Sequence, residues 1–299
     1  MAPHGSYSGL IFLSENLIVI PNIQTNALEI WDILSTHRTP RPACILLLPE
    51  LLPGNSLFYI TCRGEPNPIG SRSQPELDKP FYQSAHEAIM LFHIRVQPGD
   101  QLEHGAGRTY TLFVHRKAMC EIYERHCVER NNKSSESVAG SENEGNVLIR
   151  GTDNNPISVP WSSWGPPVTR WFPADNRIAI RWITTTAGQR GVICGSRPEI
   201  ARKYIVINFN RDSLRRAETL SLNVRTRIQC FPHWEATCIK AGTLFKEPVI
   251  GELPFMVCAS ENLYAWDGAL IDEERILGLE VRIRLLFLLY FFSHQFVEC

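Results

Sequence analysis

The chain has 299 residues, with 30 basic and 31 acidic side chains and a formal net charge of −1. This balance argues against a general polyanion binder, because nucleic-acid modules usually carry a basic excess or a basic stripe. A hydrophobic fraction of 44% with 10% aromatic residues excludes disorder of the whole chain. The length suits one large domain or two smaller ones.

Short apolar segments bounded by proline, glycine and polar residues dominate the first half. They predict strands at 10–20, 27–33, 43–48, 57–62, 88–96 and 109–115. The first two should form a hairpin. Residues 116–128 change to helical spacing, with Met119, Ile122 and Tyr123 on one side, and this is the one helix that the pattern predicts.

The second half continues the same rhythm after a polar interruption. Residues 131–146 consist almost entirely of Ser, Asn, Glu and Gly, which predicts a disordered loop. Further strands are predicted at 147–149, 178–184, 192–194, 204–209 and 255–258, with a tight turn at 187–190. Many short strands and little helix predict a mainly β fold: a sandwich, a barrel or a propeller.

The dipeptide Trp31-Asp32 lies near the end of the predicted strand Leu28–Ile33. It looks like the signature of the third strand of a propeller blade, where this pair packs between neighbouring blades. The usual Gly-His partner is missing, and no repeat of about 40 residues is visible. A propeller would therefore consist of degenerate blades.

The most distinctive stretch is rich in tryptophan and proline. It contains Trp161, Trp164, Gly165, Arg170 and Trp171 within eleven residues. So many indole rings must be packed, or a large apolar patch would face water. One interpretation is an aromatic recognition surface, with Arg170 stacked on Trp161 or Trp164. The other, which we favour because tryptophan is highly buried on average, is a folded-back plug that covers the edge of a sheet.

No residue pattern predicts a catalytic, cofactor or metal site. Zinc sites need paired ligands at short spacing, and the nearest candidates, Cys120 with His126 and Cys127, fit a core-facing helix better. The group of Cys230, His233 and Cys238 is similarly loose. Nucleophile-elbow, zincin and phosphate-loop motifs are missing from the sequence.

Cysteine content and the chain ends indicate the compartment. The nine cysteines are odd in number and lack a framework spacing, which is typical of reduced, mostly buried thiols. The N-terminus carries no basic segment followed by an uninterrupted apolar run. The apolar run 285–292 is far shorter than the ~20 residues that span a bilayer. We expect a cytoplasmic or nuclear protein that binds neither membranes nor nucleic acid.

The tryptophan block and its sequel resemble F-box proteins of mushroom-forming fungi. The similar elements are Trp-x-x-Trp-Gly-Pro at 161–166, Thr-Arg-Trp at 169–171 and Gly-Gln-Arg at 188–190, which includes Gln189 and Arg190. The strand 204–210 resembles one that ends in Asp-Phe-Asn, and 267–275 resembles an Asp-Gly-x-x-x-Asp-Glu-Glu-Arg element. The resemblance extends from about residue 10 to residue 278.

The resemblance implies a non-catalytic protein-interaction domain, similar to the substrate-recognition part of an F-box protein, that binds a protein substrate. The implied fold is an open or incomplete propeller-like array of short antiparallel strands with one short helix inserted. Its parts are a tail at 1–9, the interaction domain at 10–279 and an atypical hydrophobic tail at 280–299.

The F-box itself does not match this chain. Leu48-Pro49-Glu50-Leu51-Leu52 mimics its opening, but Pro53-Gly54 and the strand at 57–62 exclude a helical bundle there. Binding to the Skp adaptor of a ubiquitin ligase is therefore expected only if an F-box is supplied upstream.

Two other functions stay open. The first is a propeller-type enzyme or glycan-binding protein, whose candidate carboxylates are Asp267, Asp272, Glu273 and Glu274. Because these are adjacent in sequence, a solvated acidic turn is the simpler interpretation. The second is a truncated, non-functional gene remnant, with a poorly covered segment at 285–292 as its sign.

Overall fold

The computed structural model of the chain describes residues 9–34, 40–68, 84–99, 107–128, 156–174, 185–194, 204–220, 228–260, 262–266, 268–272, 275–281 and 292–297. Among these residues the fold is mainly β, with several antiparallel sheets. The prediction of a mainly β chain is confirmed, and the predicted strands that fall on described residues are strands with one exception. The segment 10–20 is not a single strand but two short ones, Ile11–Phe12 and Leu17–Asn22, that pair with each other around a bend. The predicted loop 131–146 and the strands at 147–149 and 178–184 lie outside the described residues.

The strands are numbered in chain order. Those of the first half are β1 (Ile11–Phe12), β2 (Leu17–Asn22), β3 (Ala27–Asp32), β4 (Cys44–Leu47), β5 (Ser56–Arg63), β6 (Ile89–Gln97) and β7 (Arg108–His115). Those that follow are β8 (Ile157–Val159), β9 (Thr169–Ala174), β10 (Thr186–Ala187), β11 (Arg190–Cys194), β12 (Tyr204–Asn208), β13 (Ile228–His233), β14 (Thr237–Ile239), β15 (Val249–Gly251), β16 (Phe255–Ser260), β17 (Gly268–Ile271), β18 (Ile276–Val281) and β19 (Phe292–Val297).

Three α-helices lie among the described residues, so the prediction of one short helix is wrong. They are α1 (Arg116–Tyr123), α2 (Trp161–Val168) and α3 (Arg211–Leu220). Only α1 was expected, and a π-helical turn at Glu124–Val128 extends it. Helix α2 was not predicted because its last turn contains Pro166-Pro167, and proline normally argues against a helix interior.

The strands of the described segments form five sheets. Sheet 1 has the order β1-β2-β3-β4-β8, sheet 2 β5-β6-β7-β9, sheet 3 β10-β11-β12-β16-β13, sheet 4 β14-β15 and sheet 5 β17-β18-β19. Within them, only the pairing of β4 with β8 is parallel. The expected first hairpin is β2-β3, whose turn places Asn26 at a φ of 50°. Asparagine tolerates this left-handed conformation better than most residues.

Sheet 2 is covered on both faces. Along β6, Met90, Phe92 and Ile94 belong to the large core shared with sheet 1, whereas Ile89 and Leu91 belong to the core shared with sheet 3. This division follows from the alternation of side chains along a strand. It also explains why β6 reads as a nearly continuous apolar run.

Sheet 3 packs on its other side against the region of sheet 5. The third core contains Val192 and Tyr204 from sheet 3 together with Ala269 and Ile271 from sheet 5. The Tyr204 hydroxyl donates a hydrogen bond to the carbonyl of Trp266 (2.7 Å). Sheets 1, 2, 3 and 5 therefore share cores in succession.

The predicted boundary at residues 279 and 280 falls inside a strand. Strand β18 continues to Val281 and pairs with β19 along its whole length. Most of the apolar run 285–292 lies outside the described residues. No helix among the described segments is both long enough and apolar enough to span a bilayer.

A buried histidine in sheet 2 makes stability depend on pH. Burial, with a smaller effect of Arg63, lowers the pKa of His93 to about 4, from 6.5. Its Nδ1 hydrogen-bonds with Thr111 (3.1 Å), and its Nε2 has no hydrogen-bond partner among the described residues. The unfolded chain thus binds the proton more tightly than the folded chain does.

We expect His93 to cost the fold about 3 kcal/mol as the pH falls from 6.5 to 4, because each pKa unit corresponds to about 1.4 kcal/mol. Above pH 6.5 His93 is neutral in both states and does not lower the free energy of unfolding, which decreases as the pH falls below that value. Urea unfolding of the wild type and of His93→Gln at several pH values would measure this difference. Parallel pH profiles of the two proteins would contradict it.

Candidate protein-binding surface

The three tryptophans of the distinctive block form one packed cluster on α2 and β9. The ring of Trp161 meets those of Trp164 and Trp171 edge to face, with centroids 5.0 and 5.7 Å apart. Trp164 and Trp171 are only 1% and 2% exposed, and both belong to the large core. Their burial leaves Trp161, which is half-buried, as the one indole of this cluster near solvent.

Local chemistry explains this packing. The Trp164 Nε1–H donates a hydrogen bond to the carbonyl of Leu47 (2.8 Å) and so attaches α2 to β4. A Cβ at Gly165 would lie 2.4 Å from the Trp161 ring, so glycine lets the ring pack against the helix. The Trp-x-x-Trp-Gly pattern is therefore explained by packing between the helix and the sheet.

Arg170 is fully buried and faces the opposite side of β9 from Trp171. Its Nε–H donates to the carbonyl of Leu253 and its Nη1–H to that of Glu235, both at 2.7 Å. The guanidinium lies 4.8 Å from the centroid of the Phe255 ring. Burial lowers the pKa of Arg170 to about 10, against an opposing effect of Glu252.

The expected stacking of Arg170 on Trp161 or Trp164 is thus wrong. Successive side chains of a strand point to opposite faces, so Thr-Arg-Trp sends its arginine toward sheet 3 and Trp171 toward sheet 1. The cation stacks on Phe255 instead, which lies on the sheet 3 side.

Three aromatic side chains near Arg170 are exposed, two on β13 and one directly after it. Phe231 is 52% exposed, Trp234 is 46% exposed, and His233 between them is also exposed. We call these three residues the aromatic edge. The His233 ring stacks on Phe255, with centroids 4.8 Å apart and planes 11° from parallel. Phe255 therefore contacts Arg170 as well as the aromatic edge.

The position of β13 in its sheet makes this surface accessible. Within the described residues β13 is an outer strand of sheet 3, paired only with β16. It contains Pro232, and proline within a sheet is confined to edges because it cannot donate to a ladder. Recognition here would therefore depend on the side chains more than on the strand backbone.

Gly188 and Arg190 form ties between sheets, whereas Gln189 pairs within sheet 3. Gly188, at a φ of +54°, makes the turn before Gln189, and its carbonyl accepts the Ile89 N–H of sheet 2 (2.8 Å). The Gln189 carbonyl accepts the Phe209 N–H (2.9 Å), and the Arg190 guanidinium donates to the carbonyl of Asp272, directly after β17 of sheet 5 (3.3 Å). The Gly-Gln-Arg element therefore connects sheet 3 with sheets 2 and 5.

Trp31 and Asp32 lie in sheet 1 and make local contacts. The buried Glu29 carboxylate accepts the Trp31 Nε1–H (3.1 Å) and the Asn22 side-chain amide (2.8 Å). The Asp32 carboxylate accepts the Leu34 N–H (3.0 Å) and so closes the turn after β3. These contacts stabilise the first hairpin.

Gln189 also lines a cleft of about 340 Å³ between sheet 3 and the beginnings of α1 and α3. Its wall carries charges of both signs, with Lys117 and Arg211 beside Glu87, Glu121 and Asp212. Lys117 already pairs with Glu87 (2.9 Å), which raises the lysine pKa. This mixture favours no single class of ligand.

The candidate carboxylates of the enzyme alternative are only partly described. Asp272 accepts the Arg275 N–H (2.7 Å) and lies 3.4 Å from its guanidinium, so it caps the turn between β17 and β18. Asp267, Glu273 and Glu274 lie outside the described residues. Across the described segments, no three His, Cys, Asp or Glu side chains come together in a way that could hold a metal ion.

Sequence reasoning missed the aromatic edge, because 228–233 was not predicted as a strand. A signal was present: Cys230 to Trp234 contains two large aromatic side chains around a proline, as expected for an exposed edge strand. Comparison with known proteins adds no relative, since no family model, curated protein or solved structure matches this chain.

Proposed function

We propose that the chain is a non-catalytic protein-interaction domain that binds a protein substrate through the aromatic edge. The observation that carries this proposal is the exposure of Phe231 and Trp234 on a segment held from beneath by buried Arg170. Aromatic side chains supply much of the binding energy at protein interfaces. A segment that is already fixed loses little conformational entropy on binding.

The resemblance to the substrate-recognition part of fungal F-box proteins supports the same function. Its motif residues Trp164, Arg170 and Arg190 hold helices and sheets together, and Gln189 pairs with Phe209 at the end of β12 within sheet 3. Proteins that share such ties would keep one scaffold, while exposed positions such as Trp234 differ with the substrate. The proposed interaction residues thus sit on the surface above the shared motifs.

The proposed architecture is an open propeller-like array. Blades of a propeller are small antiparallel sheets that pack face to face. The shared cores of sheets 1 and 2, of sheets 2 and 3, and of sheets 3 and 5 support this arrangement. Strand orders such as β10-β11-β12-β16-β13 differ from a simple four-strand meander, as degenerate blades would.

Recruitment to a ubiquitin ligase would need an F-box supplied upstream. The segment that resembles an F-box opening, 48–52, lies between β4 and β5, and Leu51 makes a bridge with Phe245. A pulldown with purified Skp adaptor should recover a version of the chain extended by an F-box and should not recover the present chain. Adaptor binding by the present chain would contradict this part of the proposal.

Truncation of the aromatic edge should strongly weaken substrate binding. We expect Phe231→Ala with Trp234→Ala to weaken binding at least about 30-fold, since hot-spot side chains contribute 2 kcal/mol or more. The measurement is quantitative affinity purification from an extract of a mushroom-forming fungus, followed by titration of the recombinant partner.

Phe58→Ala provides the matched control, because Phe58 is 57% exposed but lies on β5 of sheet 2. A true substrate is retained by the wild type and by Phe58→Ala and is lost with the edge variant. If every retained protein binds the edge variant as well as the wild type, the proposed surface is wrong.

A further inference from the structure

Two thiols face each other across the outer strand pair of sheet 3. Cys230 of β13 lies directly opposite Cys258 of β16 in the antiparallel register. Their sulfur atoms are 2.9 Å apart, although 28 residues separate them in sequence. Cys230 is exposed and Cys258 is half-buried, so solvent reaches the pair from the β13 side. The exposure of Cys230 and of Cys238 also corrects the expectation that the thiols are mostly buried.

We propose that Cys230 and Cys258 form an oxidative modification site, at which a peroxide converts the two thiols into a reversible disulfide. Directly opposed residues of antiparallel strands have Cα atoms about 4.5–5.5 Å apart. Disulfides accept Cα separations of about 4.4–6.8 Å. The strand register therefore permits the bond without a rearrangement of the sheet.

The reaction balances in two steps. The Cys230 thiol releases its proton, the thiolate attacks a peroxide oxygen, and the O–O bond breaks. The sulfur becomes a sulfenic acid, and the departing hydroxide takes up the released proton and leaves as water. The Cys258 sulfur then attacks the Cys230 sulfur, the S–O bond breaks, and a second water carries away the Cys258 proton. One peroxide is reduced to two waters, and two thiols are oxidised to one disulfide.

The environment assigns different roles to the two sulfurs. Burial, with the nearby Cys230, raises the pKa of Cys258 to about 12, so this thiol stays protonated and slow toward peroxide in the first step, and it loses its proton only as it attacks the adjacent Cys230 sulfur. The exposed Cys230 is the sulfur that peroxide reaches first, and Cys258 is the resolving thiol beside it. Cys238 is also exposed, but it lies opposite Ile250 and so has no thiol across the ladder.

The test is peptide mapping of the full chain after treatment with hydrogen peroxide. Free thiols are blocked with N-ethylmaleimide, and trypsin digestion is carried out without reductant. The tryptic peptide 228–240 contains both Cys230 and Cys238, whereas 247–275 contains only Cys258. The mapping therefore uses the Cys238→Ser variant, in which a link between these peptides identifies the Cys230–Cys258 bond.

We expect the linked pair 228–240 and 247–275, lighter than the two separate peptides by two hydrogen atoms and released by dithiothreitol. In Cys258→Ser the link should vanish, and Cys230 should accumulate as a sulfenic acid that dimedone traps. The proposal is overturned if Cys230 is recovered as free thiol, as sulfinic acid or linked to another cysteine while the expected pair is missing. This mapping needs no binding partner, so its failure would leave the proposed function standing.

Discussion

Replacing Arg170 with alanine is expected to lower the free energy of unfolding by about 4 kcal/mol. The substitution leaves the buried carbonyl of Leu253 without its donor, and a buried polar group without a partner costs about 1–3 kcal/mol. The carbonyl of Glu235 also loses its donor, but this residue is exposed and the loss there is smaller. It also opens a cavity beside the Phe255 ring. Urea unfolding monitored by tryptophan fluorescence would measure the loss.

Two variants separate the roles of Arg170. Arg170→Lys keeps the charge but cannot reproduce two divergent N–H donors, so it should lose less than the alanine variant. Arg275→Ala removes an exposed arginine that pairs with Asp272 and should change stability by no more than about 1 kcal/mol. If Arg170→Ala unfolds at the same urea concentration as Arg275→Ala, the proposed anchoring role is wrong.

The same substitution tests the link between the motif and the binding surface. Arg170 holds the carbonyl of Glu235, the residue after Trp234. A variant that remains folded at low temperature should therefore bind substrate more weakly than the wild type, although Arg170 itself is buried. The binding loss and the stability loss would then share one cause.

Trp164→Ala is expected to cost about 3–5 kcal/mol, the usual range for removing a large buried aromatic side chain. Trp164 is 1% exposed, packs against Trp161 and donates to the carbonyl of Leu47. Its loss would detach α2 from β4 and open the large core. The same urea measurement applies, with the midpoint and the slope compared between variants.

Two further variants serve as controls for Trp164→Ala. Trp164→Phe keeps most of the ring but loses the N–H donor, so it should cost about 1–3 kcal/mol. Trp161→Ala removes a half-buried indole and should cost less than Trp164→Ala. Equal losses for the two alanine variants would show that burial at position 164 does not dominate the packing of α2.

Sequence patterns were most informative where packing is local. Apolar segments bounded by turn residues located strands such as β6, β7 and β12, because their side chains are buried on at least one face. Alternation along a strand would also have placed Arg170 and Trp171 on opposite sides of β9. Alternation does not show which element packs against each face of the strand. The contact of Arg170 with Phe255 could therefore be identified only from the structure.

Features that depend on pairing between distant parts of the chain could not be predicted from sequence patterns. The opposition of Cys230 and Cys258 depends on the register of β13 against β16, which the intervening sheet 4 and its loops do not reveal. The exposure of Trp234 was also hidden, since tryptophan is usually buried. Helix α2 was hidden by its two prolines, which lie in its last turn.

The position of sheet 2 between two cores has a consequence for cooperativity. Its strands β6 and β9 contribute side chains to the large core on one face and stack against sheet 3 on the other. Because sheet 2 contributes side chains to both cores, unfolding of this sheet removes one side of each core. Disruption on one face of the sheet therefore propagates to the opposite face. Arg170 and Trp171, adjacent in sequence but on opposite sides of β9, are thus expected to report a single unfolding transition.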